Sequence, residues 1–285
     1  MKFIAIDVET ANPDYSTICQ VGIASFEDGI IKETWSSLVN PEDYFDPINV
    51  SIHGISESEV KDSPIFTEVF FVIKQYTSNN IVVHHMPFDK VAISRAVAKY
   101  NLDNLSAKWL DSARVTRRAW QRFIYKGYNL SNVAMELGIK FKHHDALEDA
   151  IAAGKIVTQA IVDTGISLED WLDRAYKPIP LAPGQKGKTF KLEGNPNGPL
   201  YGENLVFTGT LSIPRRKAAE IAANAGCNVS NSVNKMTTIL VVGNQELKRL
   251  KGKDKSSKQL KTEKLIKKEI DIKIISEEDL FLMVD

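Results

Sequence analysis

The segment Lys2–Val8, KFIAIDV, is apolar through Ile6 and then turns acidic, and this pattern restricts the fold more than any other stretch of the chain. A strand that is apolar on both faces belongs in the interior of a sheet covered on either side; a half-exposed strand would alternate. Two more strand-like runs follow with no room for a helix between them, ICQVGIASF and, after the turn Glu27-Asp28-Gly29, IIKETWSSLV. Three consecutive antiparallel strands are therefore predicted. A loop with Pro41, Pro47 and His53-Gly54-Ile55 comes next, then a helix from Ser63 to Tyr76 with Pro64 in its first turn. Beyond it the pattern alternates. NIVVHH reads as a strand, FDKVAISRAVAKY carries apolar residues at helical spacing, AKWLDS is a short strand, and helices run through ARVTRRAWQRF, NLSNVAMELG and DALEDAIAAGKIVTQAIV. The expected fold class is α/β, a mixed sheet flanked by helices.

A length of 285 residues leaves room for a second domain. Composition marks the break: residues 177–201, KPIPLAPGQKGKTFKLEGNPNGPLY, are rich in Pro, Gly, Lys and Asn and bury little. The expected division is a domain at 1–176, a linker at 177–201 and a smaller α/β domain at 202–285. In the last, NLVFTG, TTILVVG and IKIIS read as strands; PRRKAAEIAANAG and QLKTEKLIKKE read as helices, before an acidic EEDLFLMV. The formal net charge of zero conceals an asymmetry, with 16 basic against 21 acidic residues in 1–165 and 15 against 11 in 200–285. Between Lys248 and Lys268 ten Lys/Arg face two acids, a run that serves either as a solvated face or as a phosphate-binding surface. Cys19 and Cys227 fit no metal-ligand or disulfide spacing and are expected as buried apolar residues. No apolar run reaches the roughly 18 residues a membrane span needs, and the start of the chain shows no signal-peptide pattern, so an intracellular, cytoplasmic protein is expected.

Asp7 and Glu9 stand two apart at the end of the first strand, so both carboxylates leave the same face. Asp89 lies in the first turn of the helix after NIVVHH, where the helix dipole alone would favour an acid. The same holds for Asp145, Glu148 and Asp149 in the first turn of the alanine-rich helix that follows His143 and His144. Singly, each acid has an ordinary structural reason.

Together they form an ordered pattern: Asp7-Val8-Glu9-Thr10, His84-His85-Met86-Pro87-Phe88-Asp89 and His144-Asp145-Ala146-Leu147-Glu148-Asp149-Ala150. This resembles the three exonuclease motifs of the DnaQ-like DEDDh family, related to the epsilon subunit of DNA polymerase III, across residues 1–165. His85 stands where that family usually has Asn, and His53-Gly54-Ile55 falls where it commonly has that tripeptide. The resemblance implies a ribonuclease H-like fold and 3′-to-5′ exonuclease activity. Asp7, Glu9, Asp89 and Asp149 would hold two Mg²⁺ or Mn²⁺ ions, and His144 would be the base. His143 competes for that role but lacks the four-residue gap to Asp149. Thr10, Ala11, His53, Phe88 and His85 would be the candidate substrate contacts. The chemistry suits the residue types. Phosphodiester cleavage develops negative charge on attacking and leaving oxygens, two hard cations about 3.5–4 Å apart stabilise both, and carboxylates are their natural ligands. An imidazole near pH 7 takes the proton of the attacking water.

Residues 200–285 resemble a BRCT domain, above all the form attached to NAD-dependent DNA ligases, through Gly202-Glu203-Asn204, Leu205-Val206-Phe207-Thr208-Gly209, Ala225-Gly226, Thr238–Gly243 and Asp279-Leu280-Phe281. By that resemblance Thr208, Gly209 and Lys258 would bind a phosphate on a DNA end or a phosphoprotein, with Arg215, Arg216 and Lys217 as secondary contacts. The expected substrate is a nucleic acid 3′ end, DNA ahead of RNA, in replication or repair. A binding scaffold, a short-RNA exonuclease and a polymerase-bound proofreading subunit stay open.

Overall fold

The computed structural model describes residues 1–125, 127–177, 192–243 and 255–284. The expected linker residues 178–191 and the first part of the basic run, 248–254, lie outside the described residues. The chain divides into two units, Met1–Lys177 and Pro178–Asp285.

The first unit opens with β1 (Lys2–Thr10), β2 (Ile18–Glu27) and β3 (Ile30–Leu38), paired antiparallel as the sequence predicts. Three helices follow: α1 (Pro47–His53), α2 (Glu57–Val60) and α3 (Phe66–Thr77). The first two fall in the segment expected as loop. Asp46 accepts from Ile48 N at 2.8 Å and Pro47 occupies the first helical position, a start signal that outweighs the turn reading of Pro47 and Gly54. Next come β4 (Ile81–His84), α4 (Phe88–Lys99), β5 (Lys108–Asp111), α5 (Ser112–Ala119), a 3₁₀ turn at Gln121–Tyr125, α6 (Leu130–Glu136), α7 (Ala146–Thr164) and α8 (Leu168–Arg174). Strand order is β3-β2-β1-β4-β5, with β4 and β5 parallel to their neighbours. The mixed sheet flanked by helices is thus the fold the sequence implied.

β1 lies at the centre and is buried through Ile6, becoming half-exposed at Asp7 and Glu9. Its odd residues face α7. Phe3 and Phe26 stack there with centroids 4.8 Å apart, and small residues of α7, among them Ala146, Ala150 and Ala153, let the helix approach the sheet closely. The even face, with Ile4 and Trp35, meets Val72 and Tyr76 of α3 around a groove of about 430 Å³. Each fully buried Ile or Val in these layers contributes about 1.5–3 kcal/mol.

The second unit has a four-stranded parallel sheet, β7-β6-β8-β9, from β6 (Asn204–Thr208), β7 (Asn228–Ser230), β8 (Ile239–Val242) and β9 (Lys273–Ser276). Helices α9 (Arg215–Asn224), α10 (Ser257–Ile266) and α11 (Glu277–Val284) complete it. The linker expected to reach residue 201 is shorter than that. Leu192 exchanges backbone bonds with Val229, Leu200 N donates to Ala225 O at 2.7 Å, and Leu200 is wholly buried. The glycines that suggested flexibility serve close packing: a Cβ on Gly198 would lie 2.1 Å from the Ala225 backbone. Both cysteines are buried thiols, as expected. Among the described residues no single helix is long and apolar enough to cross a membrane.

Candidate active site

The end of β1 gathers the acids, and the backbone register explains how. Gly22 pairs with Asp7, and Gln20 with Glu9, so these four residues share the face that α7 covers. A Cβ on Gly22 would lie 2.2 Å from the Ala146 carbonyl carbon and the Leu147 nitrogen; glycine is required for the first turn of α7 to rest on the sheet. Gln20 fixes that turn by accepting from Ala146 N at 3.1 Å. Asp145 caps the helix, and Asp149, one turn further, comes to β1 almost completely buried.

Asp149 is held by its own approach segment. Its Oδ2 accepts from His144 N at 3.1 Å, and both carboxylate oxygens lie 3.2 Å from His143 Nδ1. The two imidazoles stack with centroids 3.8 Å apart, and His144 has φ +64°, a left-handed backbone kept only where surroundings impose it. Adjacent histidines therefore divide the work: His143 braces the carboxylate, whereas a ring nitrogen of His144 and carboxylate oxygens of Glu9 and Asp149 all fall within 4.8 Å of one another.

Asp89 arrives from the opposite side of β1. It is buried in the first turn of α4, and its Oδ1 accepts from Val8 N, between Asp7 and Glu9, at 3.4 Å. Asp89 thus reaches the strand end that carries Asp7 and Glu9, and Asp149 reaches Glu9 from α7; the side-chain atoms gathered within 4.8 Å are those of Glu9, His144 and Asp149.

His53 shows what holds the strand end. Its Nδ1 accepts from Ile55 N at 3.0 Å, which leaves the hydrogen on Nε2 to donate to the Thr10 carbonyl at 3.2 Å. Asn49 Nδ2 donates to the same carbonyl at 2.8 Å. Burial lowers the His53 pKa, against opposing contributions from the Thr10 carbonyl and Glu59. Beneath it the Cys19 thiol is pushed well above its ordinary value, first by burial and then by Glu9, which keeps it protonated and unreactive.

Two expected substrate contacts stand elsewhere. Ala11 is wholly buried in a cluster with Cys19, Ile55 and Val60, its N–H donated to Thr17 and its carbonyl accepting from Asp46, so it shapes the turn after β1 and presents no surface. His85 is 6% exposed and faces inward, with Ser112 Oγ and the Tyr128 carbonyl each 2.8 Å from a ring nitrogen. Thr10 and His53 remain partly exposed at the strand end, whereas Phe88 is buried, packed edge-on to Tyr15 at 6.1 Å. Behind them Asp111, fully buried, accepts from Met86 N at 3.0 Å and Ala113 N at 2.8 Å. Burial pushes its pKa up, but His84, Arg117, His85 and Arg114 together outweigh burial and hold it below the ordinary carboxylate value.

Gln20, Gly22, Asn49 and Asp111 were not singled out by sequence reasoning. A glycine inside an otherwise apolar strand was the one available signal, since it marks a place where another backbone comes close.

In the second unit, Thr208 Oγ1 lies 2.7 Å from Ser256 Oγ, and Lys258 Nζ donates to the Phe207 carbonyl at 2.8 Å. Gly209 follows with φ +75°, and its carbonyl accepts from Arg215. The three expected phosphate contacts therefore stand together at the end of β6. Burial, then Arg215, lowers the Lys258 pKa.

Comparison with known proteins bears on both units. An exonuclease family model matches residues 4–157, and a BRCA1 C Terminus (BRCT) domain model matches residues 195–281. Exodeoxyribonuclease 10 of Escherichia coli K12 is 24% identical over 176 residues, covering 61% of this chain and 74% of that protein. The PolC-type DNA polymerase III of Caldanaerobacter subterraneus is 28% identical over 159 residues, 54% of this chain but 11% of that much longer protein. Among solved structures, exonuclease X in complex with 5′ overhanging duplex DNA has a TM-score of 0.50 at 23% identity, covering 61% of this chain and 99% of that one. The nuclease domain of 3′hExo, a DEDDh family member bound to rAMP, also scores 0.50, at 17% identity over 57% and 92%. At those identities the structural likeness speaks for the fold.

Proposed function

The chain belongs to the exonuclease family whose model spans residues 4–157, and from that premise we propose that it is a metal-dependent 3′-to-5′ exonuclease that releases nucleoside 5′-monophosphates from DNA. One observation carries this reading: Asp89 bonds to the backbone between Asp7 and Glu9 while Asp149 and His144 close on Glu9 from the other side. Four carboxylates crowded at one strand end repel one another and need cations to offset them, so the donor set fits hard divalent ions such as Mg²⁺ or Mn²⁺. Two bound ions would supply charge stabilisation for the attacking and leaving oxygens.

The chain's own residues do the rest. Asp7 and Glu9 present oxygens from a rigid central strand, Asp89 and Asp149 from the first turns of two helices. His144 accepts the proton of the attacking water, its neighbour His143 keeping Asp149 in place. Thr10 and His53 form the wall for the terminal nucleotide, with the buried Phe88 packed behind them.

In the second unit, Thr208, Gly209 and Lys258 take a phosphate, on a DNA end or on a phosphoprotein, and so direct the nuclease to its site of action. Support comes from their meeting at the end of β6 and from Lys258 and Arg215, two cations that disfavour one another there and that an anion would reconcile. We place the activity in replication or repair of cytoplasmic DNA, with a polymerase as one candidate partner.

The deciding assay is release of label from a 3′-end-labelled oligonucleotide as single-stranded DNA, duplex DNA and RNA, with Mg²⁺, Mn²⁺ or chelator. Wild type should degrade DNA only with the metal, and Asp7→Ala, still folded, should not. Equal release by both proteins overturns the proposal; a preference for RNA redirects it to the short-RNA reading.

A further inference from the structure

The segment His84–Pro87 joins β4 to the first turn of α4 and so sets where Asp89 stands. Its backbone is bent, with Met86 at φ +67°, a conformation that residues with side chains adopt only where their surroundings impose it. Those surroundings are specific. Asp111 Oδ1 accepts from Met86 N, His84 Nδ1 meets the Met86 carbonyl, and the Arg117 guanidinium, 3.5 Å from Met86 Sδ, lies over the Tyr128 ring at 4.9 Å.

His85 joins the pieces. A carbonyl can only accept, so His85 Nε2 carries the hydrogen that goes to Tyr128 O, while the single hydroxyl hydrogen of Ser112 is shared between His85 Nδ1 at 2.8 Å and the His84 carbonyl at 2.9 Å. One imidazole thereby ties the turn to the start of α5 and to the stretch that precedes α6.

We propose that His85 is a positioning residue for Asp89: by spanning Ser112 and Tyr128 it fixes the left-handed turn at Met86 and with it the place of the Asp89 carboxylate beside Asp7 and Glu9. The inference rests on the reading of those acids as a metal site. Stereochemistry makes it testable, since the amide nitrogen of Gln overlays the Nε2 position of a histidine and that of Asn overlays Nδ1. Gln therefore keeps the Tyr128 arm, whereas Asn reaches Ser112 and stops short of Tyr128, leaving a buried carbonyl without that donor.

Mn²⁺ binding to the full chain, followed by the electron paramagnetic resonance of free Mn²⁺, is the test, with melting temperature and kcat on the labelled oligonucleotide measured in parallel. Asp89→Asn should weaken binding and serves as the control for the metal site. His85→Asn should lose about tenfold to a hundredfold in Mn²⁺ affinity while melting only a few degrees lower, as the Tyr128 carbonyl loses its donor, and His85→Gln should restore the affinity to within about threefold of wild type. If wild type binds no Mn²⁺, or Asp89→Asn binds as wild type does, the metal reading falls and this proposal with it. If that control behaves and His85→Asn binds like wild type, or Gln fails to outperform Asn, positioning by His85 alone is overturned.

Discussion

Gly22 lies directly opposite Asp7 in the β1–β2 ladder, and the space a side chain would fill there is taken by the backbone of Ala146 and Leu147. A fold requirement and a site requirement thus coincide at one residue pair: the strand that presents Asp7 is the one on which the helix bearing Asp149 must rest. Gly22→Ala should push the first turn of α7 off the sheet. We expect a loss of stability of about 1–3 kcal/mol, the usual cost of overpacking, seen in urea unfolding. Activity should fall by much more than stability, because Asp149 moves with the helix.

Asp111 joins β5, α5 and the Met86 turn through one buried carboxylate. Removing it strands Arg117 and Arg114 and orphans two backbone donors, so Asp111→Ala should cost about 3–5 kcal/mol. Its pKa is depressed in the folded state, so the stability it gives is complete above the ordinary carboxylate range and is lost as pH falls through the folded value. Acid unfolding followed by circular dichroism should start at lower pH in wild type than in a variant whose Asp111 is replaced.

For His53 the sign is the reverse of a salt-bridged histidine. Burial lowers its pKa, so the unfolded chain binds a proton more readily than the folded one. Its contribution to stability is fully present above about pH 6.5, the ordinary histidine value, and declines as pH falls toward the folded value. His53→Gln keeps a donor for the Thr10 carbonyl and removes the titration. The gap in unfolding free energy between wild type and this variant should therefore narrow or reverse between neutral and mildly acidic pH; a pH-independent gap contradicts the neutral, buried imidazole.

How much of this could be read from the residues depends on the range over which each feature is encoded. The five strands of the first sheet follow from local alternation and apolar runs, and the acids from motifs only a few residues long. What escaped needs partners far away in sequence. Gln20 gains its meaning from Ala146, 126 residues on, and His85 from Ser112 and Tyr128, 27 and 43 residues on. The short β7 has three residues, too few for periodicity to register. Residues 192–201 look like a linker because glycine marks both freedom and close approach, and only the neighbouring backbone at Ala225 and Gly226 tells which applies.

The same crowding that draws cations to the site should make it a source of strain without them. Asp89 and Asp149 are nearly fully buried beside the half-buried Asp7 and Glu9, so ionising all four costs desolvation as well as mutual repulsion. Two consequences separate a metal site from an ordinary acidic surface. First, Mn²⁺ or Mg²⁺ should stabilise the folded chain by mass action, about 2.7 kcal/mol at a hundred times the dissociation constant. For the first unit alone that is a rise in melting temperature on the order of 5–10 °C. Second, Asp89→Asn, which keeps an oxygen to accept from Val8 N, should raise the melting temperature in chelator by relieving repulsion, yet cancel most of the rise that metal brings. Differential scanning calorimetry with and without chelator reads both effects in one protein series. An acidic cluster that merely faces solvent would show neither: its neutralised variants would melt like wild type in chelator, and added metal would move all of them equally.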